Sequence, residues 1–245
     1  MGARLIMRLR GLMTGAFVAL VASCQAAPVF SAPVPRQAVP LLPVLVEQQR
    51  SIWPDAPEPW FLAGQIEQES CLSLTHSKCW NPRAELKTAR ENGVGLGQFT
   101  RAYRADGSIR FDTIANLSQT YKSLAGWSWD NRYDARYQLI ALVEMDKGIY
   151  HRQRGAANDL ERLKFTLSAY NGGEAGLLQD RRLCSNTDGC DPARWTGHVA
   201  LHSLKNRRPQ AGYGQSFFSI NREYVANVLE VRRSKYEPYF RGNAP

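Results

Sequence analysis

The stretch "AGQIEQESCL", Ala63 to Leu72, sets a carboxylate on what otherwise reads as the buried face of a helix. Residues three and four apart stack on one side of a helix, so Leu62, Ile66, Glu69 and Ser73 share a stripe. Glu67, two residues away, points elsewhere, and its conversion to glutamine is expected to leave activity nearly unchanged. With Leu62 and Ile66 turned inward, Glu69 stands at the edge of the interior. An ionised carboxylate is costly there unless it is partnered or used chemically. A helix-end salt bridge is the plain alternative, and the rest of the chain has to decide between the two.

Around this stretch the pattern is helical. Pro57 to Cys71 reads as one helix, with prolines tolerated in its first turn. Asp134 is placed to cap an apolar helix from Ala135 to Tyr150. Asn158 or Asp159 starts "LERLKFTLSAY", with Leu160, Leu163 and Leu167 on one face, and Gly172 and Gly173 stop it. Asn221 to Tyr236 reads as a last helix with Val225, Val228 and Leu229 inward. Strand-like alternation is scarce. The stretches Arg101 to Asn131 and Arg181 to Ser219 read as long connections with short helices, and the fold class is mainly α.

The 245 residues are 44% hydrophobic and 10% aromatic, which selects a globular chain over a disordered one. The formal charge of +9 raises nucleic acid as a partner, but Lys and Arg are scattered and form no continuous basic stripe, so none is expected. Arg4, Arg8 and Arg10 precede an apolar run, Leu12 to Ala22, and small residues follow, the layout of a bacterial export signal over residues 1–23. The run is shorter than the roughly 20 residues of a spanning helix. "VASC", Val21 to Cys24, resembles a lipobox with Cys24 as the acylated residue, and an ordinary cleaved signal is the alternative. The recurrent prolines of residues 24–47 read as an extended tether, leaving one domain over 48–245.

Setting Cys24 aside, Cys71, Cys79, Cys184 and Cys190 make an even number in an exported chain, which points to disulfides. Three pairings are open. The local ones, Cys71 with Cys79 and Cys184 with Cys190, are favoured because each closes a short polar loop. Zinc is a further reading, since His198 and His202 follow Cys184 and Cys190 one helical turn apart. There is no CxxC, and "HVALH" lacks the glutamate of a metalloprotease helix, so no metal and no cofactor is expected.

Four features then stand in order: Glu69-Ser70, "GVGLGQ" at Gly93 to Gln98, "AYNGG" at Ala169 to Gly173, and "EYV" at Glu223 to Val225. The glycine hexapeptide matches neither phosphate-binding pattern and suggests a loop whose backbone approaches a ligand. This order resembles the family 1 lytic transglycosylases, the soluble lytic transglycosylase domain related to goose-type lysozyme, over about Trp53 to Tyr236. The family's Glu-Ser is matched by Glu69-Ser70 and its Gly-Leu-Met-Gln by Gly95-Leu96-Gly97-Gln98. Its Ala-Tyr-Asn is matched by Ala169-Tyr170-Asn171 and its Tyr-Val by Tyr224-Val225. Gly97 departs from the family's methionine, and Leu72 stands where an aromatic residue is common.

The resemblance implies a lysozyme-like helical domain with a glycan-binding cleft that cleaves peptidoglycan strands. Glu69 would be the single acid and base. Ser70, Gly95, Leu96, Gln98, Tyr170, Asn171 and Tyr224 would bind substrate, and the product would end in 1,6-anhydro-muramic acid. No spacing marks Glu67, Glu91, Asp134, Glu144 or Glu174 as a second catalytic carboxylate. The alternatives are a lysozyme-like hydrolase on the same fold and a non-catalytic wall-binding component of a secretion or phage apparatus. The implied location is the periplasm, with outer-membrane anchoring through lipidated Cys24.

Labelling with radioactive palmitate in a bacterial host is expected to tag the precursor, and Cys24→Ala to remove the label and release the protein from membranes. Membrane association that survives Cys24→Ala contradicts the anchor.

Overall fold

The computed structural model describes residues 33–210 and 214–242, all within the compact unit Ser31–Pro245. The export signal, Cys24 and the start of the proline-rich segment lie outside the described residues. The rest of that segment is not an extended tether. A 3-10 turn at Arg36–Ala38 leads into helix α1, Leu42–Ile52, whose Leu42 and Leu45 are fully buried. Pro43 is tolerated because it sits in the first turn of α1, where its missing N–H has no intrahelical partner to lose. The folded unit therefore begins before residue 48.

Helix α2, Phe61–Ser70, starts later than Pro57, because Glu58 takes a positive φ of 46° that the right-handed helix cannot accommodate. Phe61, Leu62, Ala63 and Ile66 are fully buried. A Cβ on Gly64 would lie 3.0 Å from the backbone nitrogen of Arg233, so glycine lets the C-terminal segment close directly over α2.

The mainly helical expectation holds, with one addition. Four short strands, β1 (Glu85–Lys87), β2 (Glu91–Val94), β3 (Phe99–Tyr103) and β4 (Ile109–Asp112), form an antiparallel sheet in sequence order. Val94 pairs with Phe99 and Gly93 with Thr100, so the "GVGLGQ" segment is the turn of the β2–β3 hairpin. The alternation signal fails here because the strands span only three to five residues, Gly93 interrupts β2, and Ile109 and Phe111 of β4 are exposed. Thus the connection expected at Arg101 to Asn131 holds part of a sheet as well as helix α3, Thr113–Thr120.

Helix α4, Ala135–Arg152, is capped by Asp134, whose side chain accepts from the backbone of Arg136 and Tyr137. Its Leu139, Ala141, Leu142 and Val143 have no solvent exposure. Helix α5, Asp159–Gly172, is capped by Asn158 and ends at Gly173, φ +80°. Leu163 and Leu167 are core residues, whereas Leu160 is exposed. Helix α6, Glu174–Ser185, leads into the second expected connection, which contains a 3-10 turn at Val199–Leu201. Helix α7, Phe217–Ala226, replaces the first part of the single last helix expected. It passes into a π-helical turn at Asn227–Arg232, a 3-10 turn at Arg233–Tyr236 and helix α8, Glu237–Phe240, while Val225, Val228 and Leu229 stay buried as expected.

Cys71–Cys79 and Cys184–Cys190 are disulfides, which fits an oxidising compartment and removes Cys184 and Cys190 as zinc ligands. Among the described residues no helix is long and apolar enough to cross a membrane.

The C-terminal segment gives Glu67 a structural role. This residue points away from the Glu69 stripe but is buried, and three donors meet its carboxylate. Arg232 approaches at 2.8 Å, Lys235 Nζ at 2.8 Å, and the Tyr236 hydroxyl donates to Oε2. Trp80 Nε1 donates in turn to the Tyr236 oxygen at 3.2 Å. Removing one partner of a buried ion pair leaves an uncompensated charge, which costs about 3–5 kcal/mol. Glu67→Gln is therefore expected to lower the unfolding free energy by about 3 kcal/mol in urea titrations. Glu47→Gln, on an exposed carboxylate, is expected to change it by under about 0.5 kcal/mol. Equal stability of the two variants contradicts the anchoring role.

Candidate functional site

Glu69 lies in the last turn of α2, held there by the packing of Leu62 and Ile66 beneath it. Its side chain lines a cavity of about 690 Å³, whose walls come from α2, the β2–β3 hairpin, the end of α5 and helix α7. The Tyr224 hydroxyl donates to Glu69 Oε1 at 2.6 Å. No described residue donates a hydrogen bond to Oε2, which leaves that oxygen available to carry a proton. Burial raises the Glu69 pKa to about 7, against the pull of the Tyr224 hydrogen bond toward lower values.

The two tyrosines of the site stack on each other, with ring centroids 6.4 Å apart and planes 10° from parallel. Burial first, and the Glu69 charge next, push both phenols well above their ordinary range, so both remain donors. Tyr170, near the end of α5, uses its hydroxyl on the hairpin, donating to the Gly97 carbonyl at 2.7 Å. Asn171 lines the cavity from an exposed position, and its Oδ1 accepts from Asn221 Nδ2 at 3.1 Å. Asn221 is itself buried and bound to Ser168 through both ends of its amide.

The hairpin turn explains why residue 97 is a glycine. A Cβ on Gly97 would come within 2.7 Å of both the Phe99 ring and the Tyr170 hydroxyl, so the position has no room for a side chain. Gly95 has φ +73°, and a Cβ there would overlap the Gln138 amide. Gln138 is fully buried on α4. Its Oε1 accepts from Leu96 N at 2.8 Å, and its Nε2 donates to the carbonyls of Pro82 and Arg132. Gln98 closes the turn by donating from Nε2 to the Gly95 carbonyl at 2.9 Å.

The residues expected to touch substrate therefore divide. Glu69, Gln98, Tyr170, Asn171 and Tyr224 meet at one cavity. Gly95 and Leu96 do not line it. The Leu96 side chain is in the core, and both residues act by shaping the turn. Ser70 is also redirected. Its hydroxyl donates to the Ile66 carbonyl at 2.7 Å and accepts from Trp80 N at 3.0 Å, tying the end of α2 to the Cys71–Cys79 loop instead of facing a ligand.

Several further cavity residues were given no role by the sequence. Lys205 lines the wall and pairs with the buried Asp180 at 2.8 Å. Glu91 and Glu223 line it too, and Gln215 Nε2 donates to Glu223 at 2.9 Å. Their positions follow from chain connections that local spacing does not encode. Gln138 offered one signal, an amide directly before the apolar run Leu139 to Val143 of α4, which a packed core keeps only when it is hydrogen-bonded.

No protein-family model and no curated protein matches the chain, so a functional reading rests on these residues and their geometry.

Proposed function

We propose that the protein cleaves the glycan strands of peptidoglycan by lytic transglycosylation, with Glu69 as the acid and base. The observation that carries this reading is the state of Glu69. It is a cavity-lining carboxyl with one tyrosine partner, one available oxygen and a pKa near 7. Glycoside cleavage needs a protonated acid beside the scissile oxygen. An ordinary glutamic acid is protonated in about one molecule in 500 at pH 7, whereas a group with pKa near 7 is protonated in about half.

In this scheme Glu69 protonates the leaving sugar oxygen as the glycosidic bond breaks. The muramic acid's own acetamido group stabilises the developing cation, so no protein nucleophile is required. The Glu69 carboxylate next takes the proton of the sugar's C6 hydroxyl, whose oxygen closes on the anomeric carbon. The product is a 1,6-anhydro sugar, formed without water. Tyr224 orients the Glu69 carboxyl, Asn171 reaches the acetamido group, and the Gly93 to Gln98 turn lines the strand. The reading carries with it a lysozyme-like domain with a glycan cleft and a periplasmic site of action. The two disulfides are compatible with export, and the anchor would be Cys24.

A hydrolase on the same fold is the second reading, favoured by the presence of Glu91 and Glu223 on the cavity wall, either of which could hold an attacking water. Mass spectrometry of muropeptides released from purified sacculi separates the two. Anhydro ends are expected, and reducing ends alone would establish the hydrolase.

Glu69→Gln keeps the shape of the side chain and removes its proton chemistry, so release of anhydro-muropeptides is expected to fall at least about 100-fold. Because the acid form is the reactive one, wild-type kcat/KM is expected to hold below pH 7 and to fall about tenfold per pH unit above it. A raised carboxyl pKa lowers stability once pH passes the unfolded value, since the native state holds the proton longer. The variant is therefore expected to melt at or above the wild-type temperature at pH 7, with no difference below about pH 4. Near-normal product release by Glu69→Gln contradicts the assignment, and loss of activity accompanied by a lower melting temperature returns Glu69 to a structural role.

A further inference from the structure

A second carboxyl lies close to Glu69, and the reaction scheme above makes no use of it. Asp146, in α4, is fully buried and forms no ion pair among the described residues. Its Oδ1 accepts from Gln65 Nε2 at 3.4 Å, at the long end for a hydrogen bond. Gln65 is also fully buried, one helical turn before Glu69 on the same side of α2. Two oxygens of this one pair, Asp146 Oδ2 and Gln65 Oε1, are buried without any hydrogen-bond partner.

An ionised Asp146 leaves that arrangement unsatisfied, because a carboxylate oxygen and an amide oxygen are both acceptors. One proton on Oδ2 resolves both at once. Oδ2–H then donates to Gln65 Oε1 while Nε2–H donates to Oδ1, and the acid and the amide close a ring of two hydrogen bonds. The titratable groups that act on Asp146 from the packed elements are Glu69 of α2, Tyr170 of α5 and Tyr224 of α7, and none of them is a cation. Burial pushes the Asp146 carboxyl well above the usual carboxylate range. The Gln65 bond pulls it down, and the Glu69 charge pushes it further up.

We propose that Asp146 is a proton-bearing positioning residue: locked to Gln65 as a neutral acid, it fixes the turn of α2 that presents Glu69 and keeps a second negative charge away from it. The positioning role rests on Glu69 being the reactive acid, whereas the protonated pair is a property of the resting protein and needs no substrate to be measured.

Asp146→Asn keeps both hydrogen bonds of the ring, with Nδ2 donating to Gln65 Oε1, but holds no titratable proton. The wild-type protein keeps the Asp146 proton while its unfolded chain loses it above about pH 4, so the wild type loses more stability than the variant as pH rises, the Glu69 contribution being common to both. The variant's melting temperature is expected to match wild type below pH 4 and to exceed it by about 3 °C or more at pH 7. Infrared difference spectra, wild type minus variant, are expected to show a protonated carboxyl stretch at pH 6. In wall-cleavage assays the Asn variant is expected to keep kcat and the basic limb of the pH profile. Asp146→Leu, which strands Gln65, is expected to lose about tenfold in kcat.

A pH-independent melting difference with no protonated carboxyl band overturns the proposal, as an ionised Asp146 solvated by buried water would give both. A basic limb shifted to lower pH in the Asn variant overturns it too, because that marks a charged Asp146 acting on Glu69. Wild-type kcat in Asp146→Leu removes the positioning role. If the wild type releases no wall fragments at all, the proposed function fails, while the melting and infrared results still decide the Asp146 pair.

Discussion

A carboxylate withdrawn from water must be met by donors and cations or give up its charge, and helix α2 contains both outcomes two residues apart. Glu67 receives Arg232, Lys235 and Tyr236 and forms the anchor between α2 and the C-terminal segment. Glu69 receives one tyrosine and no cation, so its burial is expressed as a raised pKa. The difference arises from helical geometry, since residues two apart project to different sides of the helix. One side meets the basic end of the chain and the other meets a cavity. The π-helical turn at Asn227–Arg232 follows Tyr224, which serves Glu69, and ends at Arg232, the first of the residues that serve Glu67.

The remaining architecture serves to hold the cavity wall still. The β2–β3 turn is fixed from below by Gln138, within itself by Gln98, and from α5 by the Tyr170 hydroxyl on the Gly97 carbonyl. Asn171 is steadied by the buried Asn221, which takes its own bonds from Ser168. The hairpin turn and Asn171 thus each have a buried amide behind them, Gln138 and Asn221. For the proposed chemistry this matters because an acid that is misplaced by an ångström loses much of its effect.

The amphipathic helices, their caps and both disulfides could be read from the chain because their signals are local. Asp134, Asn158 and Gly173 each sit beside the helix end they define, and each cystine closes a short loop. The sheet could not, because strands of three to five residues with Gly93 inside one of them carry too few alternating positions. Helix α1 was hidden by the prolines before it and by Pro43, which falls in its first turn, where a helix tolerates proline. Within the site, motif order led to Glu69, Gln98, Tyr170, Asn171 and Tyr224, all of which meet at the cavity. It also pointed to Ser70, Gly95 and Leu96, none of which lines the cavity, because tertiary packing brings Trp80 to Ser70 and Gln138 to the Gly95–Leu96 turn. The same limitation concealed the burial of Glu67 and the Asp146–Gln65 pair. Helix periodicity shows which side a residue faces but not what the opposing element will place there.

The central claim is that burial holds the Glu69 proton near neutrality. Carbon-13 NMR of the side-chain carboxyl of Glu69 in the resting protein, assigned by comparison with Glu69→Gln and followed across pH, tests it directly. The account predicts a titration midpoint near pH 7. A midpoint near 4.3, the value of an unperturbed glutamic acid, would contradict it.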